Sequence, residues 1–311
     1  MRSSILPSPL TSPPQALPPG PRRSVSAVGA VACLCGIALL TPPASAPAQE
    51  PGTLRVETTV FTGDDKEPVA RSLTLFRNGI AWDFLEPVVK PGGKGDGGGE
   101  KKTEFVLHDP ARQRIVLVDP ERSVKTHIDT LRLERLRASL GTWARKSDDK
   151  VMAWAGGPDF TSAIEEDSKS VTLVGPRVRY DVRFEPAPSA DAAEEYSRFA
   201  DAALLVKALI HPGGLPPFPR IAINRRVATA GGIPIAVTLE MESRVSKFGG
   251  RADVVRSEHK VLPSLLAGDH KRIASAEERL AVAESVDLAT YAGALPAPPG
   301  AAGETAAPAL R

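Results

Sequence analysis

A chain of 311 residues that is 42% hydrophobic and 24% charged can bury one large core or two small ones. Its 39 basic residues stand against 37 acidic ones, a balance that gives no electrostatic reason for a nucleic-acid partner. The two cysteines, Cys33 and Cys35, both lie near the N-terminus, so disulfide and thiolate chemistry is excluded from everything after them.

The chain opens with a Pro- and Ser-rich arm, then Arg22-Arg23, an apolar run from Val25 to Leu40, and a small-residue tract ending at Ala48. Basic, apolar, small-residue is the order of an export signal, and the run is shorter than the roughly 20 apolar residues a bilayer span needs. Residues 1–48 are therefore read as a cleaved signal peptide and the protein as exported, periplasmic or extracellular. Ser24-Val25-Ser26 lacks the continuation of a twin-arginine signal. Ala30-Val-Ala-Cys33 resembles a lipidation box, but its use would leave Leu34–Leu40 at the new terminus, so simple cleavage ranks above it. The leader carries Arg2, Arg22 and Arg23 and no acid, which leaves 36 basic against 37 acidic residues in the mature chain.

Thr53 to Phe61 alternates and is β-branched, the pattern of a strand. The segment Leu73 to Phe84 then reads as a hairpin turned at Asn78-Gly79, because both central residues of a tight two-residue loop need positive φ. The turn fixes the register: Arg77 faces Ile80, Leu75 faces Trp82, Leu73 faces Phe84 and Arg71 faces Glu86 on an apolar side. The other side, Ser72, Thr74 and Phe76 against Leu85, Asp83 and Ala81, is mixed and is expected to be partly wet. Pro91 to Lys102 is Gly-rich and charged, but it lacks the phosphate-loop spacing and precedes a strand pattern, so it is read as a loop. Thr103–Asp109, Arg114–Asp119 and Ser123–Ile128 continue as strands. Asp109-Pro-Ala-Arg112 and Asp119-Pro-Glu-Arg122 repeat a type I turn signal, in which Asp accepts a backbone bond and Pro presets φ.

Strand, Asn-Gly turn, aromatic strand, strands joined by Asp-Pro turns, then an amphipathic helix: over about Arg55 to Leu140 this order resembles the bacterial lipoprotein-carrier (lipoprotein localisation factor) half-barrel family and related exported proteins. The resemblance implies a curved, half-open antiparallel sheet closed by helices over an apolar cavity.

The helix candidate at Asp129-Thr130 to Lys146 carries the stripe Leu133, Leu136, Leu140, Trp143, with Arg132, Arg135, Arg137 and Arg145 off it. It is read as a packed helix with a solvated basic face ahead of a helix lying on an anionic membrane. Phe160–Glu166, Ser170–Val174 and Arg177–Glu185 read as strands. Ser189 caps the clearest helix, with Tyr196, Phe199, Ala203, Val206 and Ile210 as its stripe. Leu215 to Ala230 reads as a surface connection with room for a short helix. Ile233–Lys247 and Arg251–Leu262 form a hairpin turned at Phe248-Gly249-Gly250, and a last helix runs from about Asp269 to Ser285 with Ile273, Ala276, Leu280 and Ala283 as its stripe. Residues 294–311 are Ala, Pro and Gly and are expected to be disordered.

Chemistry is sought and mostly not found. His108, His127, His211, His259 and His270 include no pair at metal-ligand spacing on a helix. Ser257 and His259 share a strand face, but a nucleophile also needs an oxyanion hole, and no Gly-x-Ser-x-Gly elbow occurs. Glu165-Glu166 and Glu277-Glu278 diverge as sequence neighbours must. Arg256 and Lys260, with Arg251, could form an anion-binding strip; a surface strip is favoured.

The expectation is an α+β fold: a curved, mostly antiparallel, half-barrel-like sheet with two to three helices on its concave side, formed by residues 49–293 as a single domain. The function expected is that of a non-catalytic, monomeric envelope protein with no catalytic residue, cofactor or metal. Its apolar ligand or lipoprotein segment would meet Leu73, Leu75, Trp82, Phe84, Phe105 and Leu107. The helical stripes Leu133–Trp143 and Tyr196–Ile210 are the expected covers of that face, roofing a cavity or filling it completely; the alternatives are an envelope interaction platform and last a hydrolase.

Overall fold

The computed structural model describes residues 52–86, 88, 103–158, 169–242 and 253–293. The leader, the Gly-rich stretch 91–102, the expected strand at 160–166 with Glu165-Glu166, the turn at 248–250 with Arg251, and the tail beyond 293 lie outside them.

Among the described residues eleven strands form one unclosed sheet, curved and mostly antiparallel, in the order β11-β6-β5-β4-β3-β2-β1-β10-β9-β8-β7. They are β1 (Leu54–Thr62), β2 (Ala70–Arg77), β3 (Ile80–Glu86), β4 (Phe105–Asp109), β5 (Arg114–Asp119), β6 (Val124–Asp129), β7 (Ser170–Gly175), β8 (Val178–Pro186), β9 (Gly232–Met241), β10 (Asp253–Leu262) and β11 (Glu284–Ser285). The β2–β3 hairpin has the expected register, Leu75 opposite Trp82 and Leu73 opposite Phe84, and its turn residues Asn78 and Gly79 both take positive φ. Asp109 and Asp119 cap their turns through side-chain oxygens that accept from Arg112 N, and from Glu121 N and Arg122 N. Strand β1 pairs β2 on one side and β10 on the other, so the late hairpin is stitched to the first strand and the meander becomes one side of a wider sheet.

The helices are α1 (Thr130–Arg145), α2 (Lys150–Ala155), α3 (Ala190–Ile210), α4 (Phe218–Thr229), α5 (Ala267–Val282) and α6 (Leu288–Tyr291). Asp129 and Ser189 cap α1 and α3 by accepting from Leu131 N and Ala192 N. Two to three helices were expected; α4 is the main addition. Its Ile221, Ile223, Asn224 and Val227 are buried, so the stretch read as a surface connection is part of the core. Pro217 and Pro219 at its start and Arg220, Arg225 and Arg226 within it hide the apolar stripe from a periodicity reading, although Pro is at home in a helix's first turn.

Both faces of the sheet are packed. On one, Ile115, Leu117 and Ile128 meet Leu133 of α1, Leu205 and Val206 of α3 and Ile221 of α4. Leu54, Val56, Phe76 and Ala81 meet Tyr196 and Phe199, with Phe199 edge-on to Phe76 at 5.6 Å. Val171, Leu173, Val178, Tyr180 and Val182 meet Ile223, Val227 and, from α2, Trp154. On the other face α5 lies over β2 to β5. Beyond α5 that second face carries Glu57, Lys260, Glu258 and Arg256 on β1 and β10, with the Arg256 guanidinium 4.7 Å from the centre of the Phe61 ring. No described helix is long and apolar enough to cross a membrane.

Candidate functional site

The six side chains expected to meet a ligand do share one face, as the hairpin register requires. Their cover is not the one the helical stripes suggested. Leu73, Leu75, Trp82, Phe84, Phe105 and Leu107 pack with Val116 and Val118 beneath Ile273, Ala276 and Leu280 of α5 and its C-cap residue Ala283, and none of the six is more than 4% exposed. The stripes of α1 and α3, expected above them, lie on the opposite face. Period-two alternation says which side chains share a face of a sheet; it does not say which distant helix that face receives. The start of α5 is pinned by a buried ion pair, Arg55 Nε to Asp269 Oδ2 at 2.9 Å, and Asp269 also accepts from Leu266 N at 2.8 Å. The stripe of α1 needs correction as well: Leu133 is buried, whereas Trp143 keeps 37% of its surface.

The helix-covered face is the one the sequence marks as mixed, and there its polar side chains form a belt. Ser72, Thr58 and His259 are successive Cα partners across β2, β1 and β10. His259 Nδ1 lies 3.0 Å from Thr58 Oγ1 and Nε2 lies 3.1 Å from Ser257 Oγ. A neutral ring donates from one nitrogen and accepts at the other, so one hydroxyl accepts and the other donates. Burial, with a further push from the Arg220 charge, lowers the His259 pKa to about 3, which holds the ring neutral. Next along the belt Thr74 Oγ1 donates to Asp83 Oδ1 at 2.8 Å. Burial raises the Asp83 carboxyl to about 6, against the opposing bonds from Thr74 and Ser72. Desolvation disfavours the charged form of each group, which is why the two shifts have opposite directions.

Arg220 of α4 supplies the positive charge above this belt. It is within electrostatic reach of His259, Tyr180, Tyr196 and Asp201, and its charge influences the ionisation of all four. Its Nη1 is buried without a hydrogen-bond partner, and among the described residues no carboxylate comes within 4.0 Å of its guanidinium. Burial holds Arg220 below the ordinary guanidinium value and pushes Tyr180 up to about 12. The carboxylate in reach, Asp201, accepts from Asn224 Nδ2 at 2.9 Å and pairs with Arg225 at 3.7 Å. Asn224 Oδ1 is itself unpartnered. Beyond the belt on the same face, Val60, Val255, Leu239 and Met241 remain partly accessible, and Val255 and Leu239 are Cα partners. A cation, hydroxyls and a neutral imidazole thus stand beside an apolar strip.

Other sequence candidates are placed as follows. His108 is buried, and its pKa is lowered to about 4 by burial, with Arg198 adding to the fall. His211 ends α3. Arg256 and Lys260 share a face, each beside an acid: Arg256 Nε lies 3.5 Å from Glu258 without a hydrogen bond, and Lys260 lies 4.0 Å from Glu57. Among the described residues no group of three His, Cys, Asp or Glu could hold a metal ion. Sequence reasoning missed Arg220, Tyr180 and Thr58. The signal was present for Ser72, Thr74 and Asp83, whose mixed side was assigned to water.

No family model matches the chain, and no curated protein matches it in sequence. Among solved structures it is similar to a LolA superfamily protein from Nitrosomonas europaea, at 9% identity over 71% of this chain and 90% of that one, with a TM-score of 0.25. A likeness this loose carries no argument about ligand or activity.

Proposed function

We propose that the protein is a non-catalytic binding protein for an anionic amphiphile. The ligand lies between the helix layer and the sheet, its charged head at Arg220 and the hydroxyl belt, its apolar part along Val60, Val255, Leu239 and Met241. The observation that carries this reading is the partly buried Arg220 side chain, whose Nη1 is enclosed without a hydrogen-bond partner and which has no described carboxylate within 4.0 Å. Enclosing a guanidinium nitrogen without a hydrogen-bond partner costs free energy, and a ligand anion that accepts from it offsets that cost.

Hydrolysis by Ser257 and His259 is the competing chemistry, because the pair is within hydrogen-bond distance. A general base works best with a pKa near the working pH. The His259 ring, lowered to about 3, is some four units too weak, and its other nitrogen meets the Thr58 hydroxyl where a triad has a carboxylate. The pair is thus better suited to donate and accept fixed hydrogen bonds. With a cleaved leader, binding would take place outside the cytoplasm. Solvent extraction of the purified protein followed by mass spectrometry tests the reading: it expects a co-purifying acid with an alkyl chain, and an extract free of lipid together with no binding of an anionic alkyl probe would refute it.

A further inference from the structure

Helix α1 turns one face away from the fold. Leu133, Gly141 and Ala144 are its buried residues and fix its core side. At about 100° per residue, Leu131 and Trp143 stand about 120° apart around the opposite side and about 18 Å apart along the axis. Within that arc come Thr142, Arg135, the C-cap Lys146, Ser139 and Arg132, in that order around the helix, and every one of them is exposed. Leu131 keeps 49% of its surface and Trp143 37%. The sequence alone favours a packed helix whose basic face is solvated and whose indole is covered. In the structure the indole instead borders the basic face, with Leu131 on its other margin.

The arc carries cations without acids. Among the described residues none of Arg132, Arg135 and Lys146 makes an ion pair. Glu134, the one acid of α1, falls about 60° outside the arc. Asp129 at the N-cap is turned onto the backbone, accepting from Leu131 N at 2.7 Å. The two hydroxyls of the arc are satisfied within the helix, since Ser139 Oγ donates to the Leu136 carbonyl at 3.0 Å and Thr142 Oγ1 to the Ala138 carbonyl at 2.9 Å. Covering this face therefore strands no hydroxyl proton. Arg132 and Arg135, three residues apart, repel one another, and a partner with spread negative charge relieves that repulsion. The face is the convex side of a helix, so it suits a partner that conforms to it. An indole and an aliphatic group match the boundary between lipid headgroups and acyl chains, while the long basic side chains reach the phosphates.

We infer that the exposed face of α1 docks on an anionic lipid surface. The inference uses no residue of the Arg220 site and needs no bound ligand, so it stands or falls apart from that reading. The test is co-sedimentation of the chain from Gln49 on, which carries every described element and leaves out the apolar run of the leader. The vesicles are phosphatidylglycerol with phosphatidylcholine in equal parts, and phosphatidylcholine alone. One variant is Arg132→Gln with Arg135→Gln. The other, Lys271→Gln with Arg279→Gln, makes the same change of charge at exposed positions of α5, on the other side of the sheet. Both are checked for an unchanged circular dichroism spectrum. A cation at an anionic surface changes partitioning about fivefold, so the α1 pair should lower sedimentation with the anionic vesicles at least tenfold and the α5 pair no more than twofold. Neutral vesicles should not bring the protein down. No sedimentation with anionic vesicles, equal sedimentation with both kinds, or equal falls in the two variants overturns the inference. Retention on polyglutamate without sedimentation on vesicles also overturns it, in favour of an acidic protein partner.

Discussion

Thr58 and His259 are cross-strand partners of β1 and β10, and their side chains meet at 3.0 Å on the face that the helices cover. Because that ring is held neutral at about 3, its titration should be displaced far below the ordinary histidine range. We expect the His259 ring signals in an NMR titration to stay unchanged from pH 8 to pH 4. Movement with a midpoint near 6.5 would contradict the enclosed belt.

The same groups set the direction of the pH dependence of stability. His259, at about 3, and His108, at about 4, both lie below their unfolded value of 6.5. Their contribution is therefore complete above pH 6.5 and is lost as pH falls toward the folded values. Asp83 runs the other way: at about 6 against 3.8, its protonated form stabilises below pH 3.8, and that contribution fades as pH rises through 6. Two histidines outweigh one aspartate, so the unfolding free energy should fall on the order of 3 kcal/mol between pH 7 and pH 4 in urea titrations. A rise over that interval would show that Asp83 dominates.

Helix α5 is the lid of a dry core, and its stripe should respond accordingly. Ile273 is fully buried against the β2–β5 face, whereas Val282 at the end of the same helix is 81% exposed. Ile273→Ala is expected to cost about 3 kcal/mol in urea unfolding, and Val282→Ala to stay within about 0.5 kcal/mol. Equal effects would mean that α5 does not cover this face in solution.

At the start of that helix, Asp269→Ala leaves Arg55 with Glu57 as its remaining carboxylate partner. The loss should be about 2 kcal/mol or more, because a buried guanidinium is left undercompensated. Replacing both partners, Arg55→Met with Asp269→Leu, removes two desolvation penalties together. It should cost less than the single Asp269→Ala change, as a double-mutant cycle would read out.

A local fit can be tested where the sheet meets α2. A Cβ added at Gly175 would overlap the Trp154 ring, so Gly175→Ala should destabilise by about 2 kcal/mol through forced repacking. Trp154→Leu in the same background should recover part of that loss.

The parts of this fold that could be read from the sequence are those whose causes are local. Asn78-Gly79 needs positive φ at both positions, and from that one requirement the whole β2–β3 register follows. Asp109-Pro110 and Asp119-Pro120 work in the same way, as do the Asp129 and Ser189 caps. The parts that could not be read depend on which distant element lands where. Leu75 and Trp82 announce a shared apolar face, but its cover, α5, comes nearly two hundred residues later, packed through Ile273 and Ala276 and held at its start by Arg55 and Asp269. Likewise Arg220 looks like a surface residue beside Arg225 and Arg226. Its enclosure depends on α4 packing over β8 and β9, which Pro217 and Pro219 obscure in the sequence. The mixed side of the hairpin was legible as mixed; that its hydroxyls face a helix layer instead of water was not.

The central claim is that Arg220 receives the charged head of an amphiphile, and one comparison tests it most directly: calorimetric binding of oleate and of oleyl alcohol to the parent and to Arg220→Met. Methionine keeps an unbranched apolar stem and removes the charge, so the variant should fold with unchanged or slightly higher stability. The account predicts that oleate binds the parent at least tenfold more tightly than the variant, while oleyl alcohol binds both alike. Oleate binding that is absent in the parent, or equal in parent and variant, would contradict it.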